Sequence, residues 1–401
     1  EGHGDKDLTP HFDVIERDLN VHQVDDAGGY ENALNIKIRD AARALGWQTS
    51  KVPQARRGCL RSGHCMQGCA YDAKQSQLVT YLPRAAKAGA VIYSDVRAHT
   101  LDTTGNRCGG TVKALRCAVV ERASGASTAV TLTVKAKVFV VAAGGIGTPE
   151  LLLRQGLKER LPHLGEHFFC NPCPQVFATF DAPITMWRNI PAAWGVEEFR
   201  LAREQDGAYL EGGYLLMPNQ LHPAFTAVSL LVGAPRHREI MRGFPNLGGT
   251  IAWIDDVDEG RVTLEGGRRR VHVPLTGMNE RMIRDAFKKQ VQLLWQAGAR
   301  EVFFGDVNDV RIFSEGESAA ALARVDLRPA RAVLAAPHPG GTTRMGKHEQ
   351  DSVVGFDHRV HGTDNLYVAD PSVLPSAPSV DPSLTIMAFA AVAADVLHAR
   401  L

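Results

Sequence analysis

The sequence predicts a mixed α/β and α+β fold, in which a parallel-sheet domain is interlocked with an antiparallel-sheet domain. The 401 residues are too many for one small core, so two domains are expected. Residues 138–143 form a continuous apolar run, which is typical of a parallel strand buried on both faces. Between residues 164 and 325, aromatic residues, prolines and short alternating segments dominate, which favours an antiparallel sheet in the second domain.

The composition narrows the class of protein. The net charge is only +1, so bulk electrostatics implies no nucleic acid partner. The longest apolar stretches, 138–143 and 384–394, are too short to span a bilayer, and residues 1–7 carry no signal-peptide pattern. Seven cysteines in a chain of this length do not indicate a disulfide scaffold.

Local patterns place the elements in chain order. Helical spacing with cap or stop residues predicts helices over 11–19, 32–45, 80–88, 279–297 and 384–398. Strands are predicted over 91–94, 114–121, 131–141, 248–256, 260–264 and 366–369. A glycine-rich turn follows the apolar run, and Pro149 then suits the first turn of a helix over 150–153.

The sequence holds no complete dinucleotide-binding fingerprint. That fingerprint needs G-x-G-x-x-G between a strand and a helix, with an acidic residue about 20 positions later. The turn at 144–147 comes closest, but it lacks both the spacing and the acidic residue.

Three motifs lie close together near the C-terminus. A loop of small residues over 338–346 opens with His338, and the strand-like segment 365–370 follows it. The third motif, over 381–388, begins with Asp381 and Pro382 and enters a helix. A neutral imidazole suits the removal of a hydroxyl proton near physiological pH, whereas a lone histidine among 15 would more simply be a surface residue.

Together these motifs resemble the C-terminal half of the glucose–methanol–choline (GMC) flavoprotein oxidoreductases. The resemblance implies a GMC-type FAD-binding domain, here incomplete and Rossmann-like, over 1–163 and 331–401. It implies an antiparallel-sheet substrate domain over 164–330. The expected activity is FAD-dependent oxidation of an alcohol or sugar hydroxyl, with hydride passing to flavin N5. A dehydrogenase is expected rather than an oxidase.

The resemblance also assigns site residues. His338 is the expected base and Asp381 its partner, although the family usually has Asn or His at the second position. Asp381 could pair with His338, could disfavour the anionic reduced flavin, or could only cap the following helix. Asn171, followed by Pro172, is the expected wall of the substrate pocket, with a loop asparagine held by Pro172 as the alternative. The residues expected to bind the cofactor are Val96, Ala143, Gly144, Asp370, Pro371, Pro382, Ser383 and Leu384.

Three cysteines form a C-x5-C-x3-C pattern at Cys59, Cys65 and Cys69. The loop 59–69 resembles two branches of the family, the bacterial FAD glucose or fructose dehydrogenase subunits and the sterol- or long-chain-alcohol-type members. The first branch implies a [3Fe–4S] cluster, since thiolates ligate such irons. Free thiols and a zinc site remain open as alternatives.

The resemblance implies partners as well. An alcohol or sugar is the expected substrate. The missing fingerprint could be supplied by an N-terminal companion segment, and electrons could leave through a small or cytochrome subunit. The cluster branch implies a bacterial periplasmic or membrane-associated location, and otherwise a cytoplasmic one is expected. Two rival functions remain: an FAD-dependent lyase or decarboxylase on the same fold, and a non-catalytic subunit or fragment unable to bind FAD alone.

Overall fold

A computed structural model of the chain describes residues 5–25, 28–105, 109–378 and 380–401, with side chains from residue 8 onward. The helices are α1 (Asp5–Leu19), α2 (Ala33–Ala44), α3 (Tyr81–Lys87), α4 (Gly144–Arg154), α5 (Pro223–Val228), α6 (Ala234–Arg242), α7 (Gly277–Gln296), α8 (Ser318–Leu322) and α9 (Ser383–His398). The strands are β1 (Val21–His22), β2 (Thr49–Lys51), β3 (Gln54–Ala55), β4 (Val96–Thr103), β5 (Val112–Val120), β6 (Ser127–Val134), β7 (Phe139–Val141), β8 (Cys173–Thr179), β9 (Trp194–Val196), β10 (Arg203–Gln205), β11 (Ala208–Glu211), β12 (Tyr214–Pro218), β13 (Leu247–Ile254), β14 (Arg261–Glu265), β15 (Arg268–His272), β16 (Glu301–Phe303), β17 (Arg311–Ile312), β18 (Leu334–Ala335) and β19 (Leu366–Val368).

The largest sheet has eight strands in the order β17-β16-β8-β13-β12-β9-β2, with β18 also paired to β8. All of these pairs are antiparallel. Its central strands are buried on both faces, and α7 contributes Ile283, Val291 and Leu294 to the same core. Each such side chain stabilises the fold by roughly 1.5–3 kcal/mol through burial. Helix α2 joins this core through Leu34 and Ile38, which are completely buried.

A second core surrounds the parallel pair β7 and β19, in which Phe139 lies opposite Leu366 and Val141 opposite Val368. Helix α4 follows β7 directly and adds Leu152 to this core. The antiparallel sheet β4-β5-β6 lies beside it in sequence. The chain therefore combines parallel and antiparallel sheets, as the sequence predicted, while the domain boundaries at 163/164 and 330/331 stay predictions.

Several predicted elements have different bounds in the structure. Residues 91–94 are not a strand, because β4 begins only at Val96, where pairing with β5 starts. The predicted strand 131–141 is two strands with different partners, since β6 pairs with β5 and β7 with β19. The strand predicted over 260–264 is β14, but it forms a separate hairpin with β15.

Helix α4 begins at Gly144, six residues earlier than predicted, and Pro149 lies inside it. Proline has no N–H to donate to the carbonyl four residues earlier, which usually disfavours this position. Here that carbonyl, Gly145 O, accepts a hydrogen bond from the Thr342 hydroxyl at 2.8 Å. A tertiary contact thus replaces the lost helical bond. In the described part of the chain, no helix is both long and apolar enough to cross a membrane.

Candidate functional site

The two predicted catalytic residues meet in the structure. His338 Nε2 lies 2.8 Å from Asp381 Oδ1, although 43 positions of sequence separate them. The His338 side chain is only 12% exposed, whereas that of Asp381 is 61% exposed. Helix α9 begins at Ser383 after Pro382, so the Asp381 carboxylate contacts the histidine instead of serving as the helix cap.

An aromatic residue that the sequence did not indicate holds the imidazole. The Trp253 ring stacks on the His338 ring at a centroid distance of 5.2 Å and an interplanar angle of 26°. Trp253 Nε1 in turn donates to Met217 Sδ at 2.9 Å, which fixes the indole. Among the described residues, His338 Nδ1 is buried and has no hydrogen-bond partner. The imidazole is therefore oriented by a flat apolar surface and one carboxylate.

Asn171, the predicted pocket residue, is completely buried and has a left-handed backbone with φ of 47°. Its Nδ2 donates to Ile254 O at 2.9 Å and to Pro378 O at 3.2 Å, so the amide nitrogen is tied to the end of β13 and to the segment before α9. Its Oδ1 is buried and has no partner among the described residues. Asn171 therefore has one unused acceptor atom.

Asp256 was not predicted, yet it anchors the backbone that leads to the histidine. Its carboxylate accepts the N–H of Cys170 at 2.7 Å and that of Asn171 at 3.1 Å. The Cys170 carbonyl then accepts the N–H of His338 at 3.3 Å. Burial raises the pKa of Asp256, and the two N–H donors only partly offset this. One buried carboxyl thus positions both Asn171 and the loop of His338.

The glycines after His338 are required by close packing against the protein itself. A Cβ at Gly340 would lie 2.3 Å from the Phe169 ring, and one at Gly341, where φ is +81°, would lie 2.1 Å from His167 O. A Cβ at Gly145 on α4 would lie 2.3 Å from Pro339 O. The loop is therefore wedged between α4 and the segment before β8, which holds His338 in place.

The carboxyl ends of β7 and β19 are tied together by one side chain. Asp370 Oδ2 accepts the Gly144 N–H at 2.9 Å and the Thr148 hydroxyl at 2.5 Å. Asp370 Oδ1 accepts the N–H and the hydroxyl of Ser372 at 2.8 and 2.5 Å. The N–H of Ala143, another predicted cofactor residue, donates to the Thr148 hydroxyl oxygen. Four donors thus occupy this carboxylate, so its direct role is to join the two strand ends to α4.

The remaining predicted cofactor residues lie in three parts of the fold. Pro371 accepts the Gly341 N–H through its carbonyl at 3.2 Å, and so it joins the His338 loop to the end of β19. Pro382 is buried, while Ser383 is exposed and Leu384 half-buried at the first turn of α9. Val96 belongs to a different sheet from the other predicted cofactor residues, because it begins β4 and pairs with Val119 on β5.

The predicted cysteine loop contains three half-buried free thiols. Burial raises the pKa of Cys65, and the neighbouring Cys59 and Cys69 raise it further. Burial also acts to raise the pKa of Cys69, but backbone N–H donors, Lys74 first among them, outweigh it and lower that pKa. Within the described part of the chain, no three His, Cys, Asp or Glu side chains are arranged to hold a metal ion. The structure therefore does not support the [3Fe–4S] cluster.

The site combines a parallel strand pair leading into a helix with an antiparallel sheet that presents an aromatic residue to a buried histidine, which fits the oxidoreductase class predicted from the sequence. Comparison with known families agrees with it. Two models described as GMC oxidoreductase match residues 1–173 and 256–390. The chain belongs to the GMC oxidoreductase family.

The similar proteins include an uncharacterized GMC-type oxidoreductase of Mycobacterium tuberculosis, 32% identical over 366 residues, covering 91% of this chain and 54% of the relative. A long-chain-alcohol oxidase of Arabidopsis thaliana is 22% identical, covering 96% of this chain and 53% of the relative. The chain therefore spans about half the length of these two relatives. The crystal structure of pyridoxine 4-oxidase from Mesorbium loti has the same fold, with a TM-score of 0.62 and 18% identity, covering 94% of this chain and 72% of that one.

Proposed function

We propose that this protein takes part in the FAD-dependent oxidation of a hydroxyl group on a small-molecule alcohol or sugar, with His338 as the base. The observation that carries the proposal is the His338–Asp381 pair, held at 2.8 Å beneath Trp253. The long-chain-alcohol oxidase relative adds support at the level of the family. FAD, when bound, would supply the acceptor for the hydride that leaves the alcohol carbon.

The residues present fit one side of a flavin site. Ligands of parallel sheets bind beyond the carboxyl ends of the strands, and Ala143, Gly144, Asp370 and Pro371 lie at the ends of β7 and β19. Ala143 is exposed there, and Gly144, with φ of +79°, has open space around its Cβ position. Residues 382–384 would add the N-terminus of α9. The G-x-G-x-x-G turn that would hold the pyrophosphate is not in this sequence.

The proton of the substrate hydroxyl would be taken by the imidazole of His338. If Nε2–H donates to Asp381, the basic lone pair resides on Nδ1, which is buried. To accept the hydroxyl proton at Nε2, the imidazole must instead be the tautomer with its proton on Nδ1 and its lone pair on Nε2. Because Asp381 is mostly exposed, its carboxylate can rotate into solvent with little desolvation cost and leave that Nε2 lone pair for the substrate proton. Trp253 would keep the ring plane fixed during this exchange and would exclude water from one face of the ring.

The test is anaerobic mixing of the flavin-loaded protein with a panel of alcohols and sugars. Loss of the oxidised flavin absorbance with at least one of them supports the proposal. Binding of flavin without bleaching by any alcohol would contradict it and would favour the lyase or decarboxylase alternative. Protein that cannot be loaded with flavin under any condition would favour the non-catalytic alternative.

The electron acceptor is a separate proposal. A dehydrogenase that passes electrons to another protein, through a cluster at Cys59, Cys65 and Cys69, is supported by the cysteine spacing alone. Dioxygen is the competing acceptor, as the name of the plant relative suggests for that protein. Reoxidation of the reduced flavin by air, compared with reoxidation by a one-electron dye, distinguishes the two.

A further inference from the structure

The large antiparallel sheet has one face that α7 covers and one face that stays open beside His338. From residue 250 to the end of β13, buried and half-buried side chains alternate, and Ile251 and Trp253 are the half-buried ones. The buried set lies under α7, because the Thr250 hydroxyl donates to Gln290 Oε1 on that helix at 3.0 Å. Successive side chains of a strand point to opposite faces. Ile251 and Trp253 therefore belong to the other face, where Trp253 stacks on His338.

The strands on either side of β13 contribute to the same open face. Residues directly opposite each other in an antiparallel pair have side chains on one face. Met217 on β12 lies opposite Ile251, and its sulfur accepts the Trp253 indole N–H at 2.9 Å. Gln175 on β8 lies opposite Ile251 from the other side. The open face therefore presents a thioether, a branched alkyl group and an amide in one row across three strands.

Gln175 lies between two groups that mark the ends of this face along β8. Cys173, two positions earlier and on the same face, is completely buried. Burial raises the pKa of its thiol, and the nearby Asp381 carboxylate raises that pKa further. At the other end, Phe177 stacks on Phe303 of β16 at a centroid distance of 5.5 Å. The Gln175 amide thus lies between Asp381 and a closed aromatic pair.

The Gln175 amide has hydrogen-bonding capacity that the protein does not use. The side chain is only 7% exposed, and its Oε1 is buried without a hydrogen-bond partner among the described residues. Leaving a buried amide oxygen unsatisfied is costly, so native proteins usually give such an atom a partner. Rotation of the amide by half a turn exchanges oxygen and nitrogen, so this position can accept or donate. A hydroxyl group of a ligand would satisfy either orientation.

We propose that Gln175 determines which alcohols this site takes, through a hydrogen bond from its amide to a second polar group of the substrate. The hydroxyl to be oxidised lies at His338, the apolar body of the substrate lies against Ile251 and Trp253, and the second polar group reaches Gln175. The substrate class is therefore an alcohol with an apolar ring or short chain between two polar groups, and not an alcohol with a single hydroxyl. This inference rests on the proposed function, because it names the substrate class of the same site.

The spacing of the sheet supports this class. Gln175 and Trp253 are diagonal neighbours across β8 and β13, and such neighbours are about 7–8 Å apart. That distance is close to the span of one aromatic ring with a polar substituent at each end. Binding sites of this kind are mostly apolar and carry a few polar groups that fix the orientation of the ligand. A ligand without the second polar group would leave the buried amide unsatisfied, which is the strongest basis for rejecting an analogue.

The test compares two alcohols of nearly equal size, para-benzenedimethanol and para-methylbenzyl alcohol, which differ by the second hydroxyl. Anaerobic flavin reduction gives kcat/KM for each alcohol with the flavin-loaded protein, and ligand-observed NMR titration gives the Kd of each for the chain. We expect the parent to prefer the diol by about tenfold in both measurements, after correction for its two equivalent hydroxyls.

Two variants with the same substitution separate specificity from structure. Gln175→Met keeps the length of the side chain and should abolish the preference, with only the diol affected. Gln220→Met is the control, because Gln220 is 5% exposed and its Oε1 is also buried without a partner in the described chain. Gln220 Nε2 donates to Arg188 O and Asn189 O, so this variant should melt below the parent but keep the preference. Gln175→Met should melt at or above the parent temperature, because its oxygen has no bond to lose. If it misfolds, Gln175→Leu replaces it.

Several results would overturn the proposal. These are equal kcat/KM and equal Kd of the two alcohols in the parent, an unchanged preference in Gln175→Met, and no binding or flavin reduction with either alcohol. A lower melting temperature of Gln175→Met, or an equal loss with both alcohols, would make Gln175 a structural residue and would overturn it as well. Flavin reduction by any alcohol would leave the proposed function intact in each case. A diol preference in Kd that Gln175→Met removes, without flavin reduction by any alcohol, would support the role of Gln175 and contradict the proposed function.

Discussion

Replacement of Asp381 by Asn separates the two possible roles of this carboxylate, as partner of His338 or as an independent catalytic group. The pair is close, at 2.8 Å, but the Asp381 side chain is 61% exposed. Solvent screening reduces such a pair to about 0.2–1 kcal/mol. If catalysis depends on that interaction alone, kcat/KM for alcohol oxidation should change by no more than about fivefold. An Asn side chain can also donate to a substrate oxygen, so the change could be an increase.

The assay is single-turnover flavin reduction under anaerobic conditions, with the flavin-loaded parent, Asp381→Asn and His338→Gln compared side by side. His338→Gln is the reference for loss of the base and should reduce the rate by about 10²–10⁴-fold. A fall of more than about 10²-fold in Asp381→Asn would refute the reasoning, because an exposed partner cannot account for it. Equal melting temperatures of the three proteins would exclude misfolding as the cause.

Three further changes test other parts of the site. Trp253→Leu removes the ring stacking on His338, a contact worth about 0.5–1.5 kcal/mol, and should therefore lower kcat/KM by about 2- to 10-fold. The pH profile of kcat/KM should change as well. An unchanged rate and an unchanged pH profile would rule out a positioning role for Trp253. Asp256→Asn should destabilise the fold by roughly 1.5–3 kcal/mol at neutral pH, measured by urea unfolding, because one backbone N–H loses its charged acceptor. The folded-state pKa of Asp256 is raised, so the parent should lose stability as pH rises from the ordinary value of 3.8 through that raised pKa, and Asp256→Asn should lack this slope. Cys65→Ser should remove iron from the purified protein if the loop holds a cluster; equal iron content and equal one-electron dye reduction in both proteins would contradict the cluster.

The sequence could predict those parts of the site that depend on local signals. The glycine-rich string after His338, the strand ending at Asp370 and the X-Pro entry to α9 are each contiguous, so their residues could be named directly. Helices α2, α7 and α9 were also predictable, because apolar periodicity and stop residues mark them.

Trp253 and Asp256 could not be predicted, because each reaches His338 only through tertiary structure. Trp253 lies on β13, and it faces the histidine because of the register of the large sheet, which no local pattern encodes. Asp256 follows the same strand and acts through the backbone of Cys170. The start of α4 was missed for the same reason: the contact that allows Pro149 inside the helix comes from Thr342, nearly 200 residues away.

The failed strand prediction at residues 91–94 has a different cause. The apolar composition of this segment favoured a strand, but a strand also needs a neighbour to complete its hydrogen bonds. In the described chain, the apolar side chains of Val91, Ile92 and Tyr93 remain exposed, while Val140 is exposed beside a free edge of β7. The strand prediction for residues 91–94 is therefore wrong, because ladder pairing with β5 begins only at Val96.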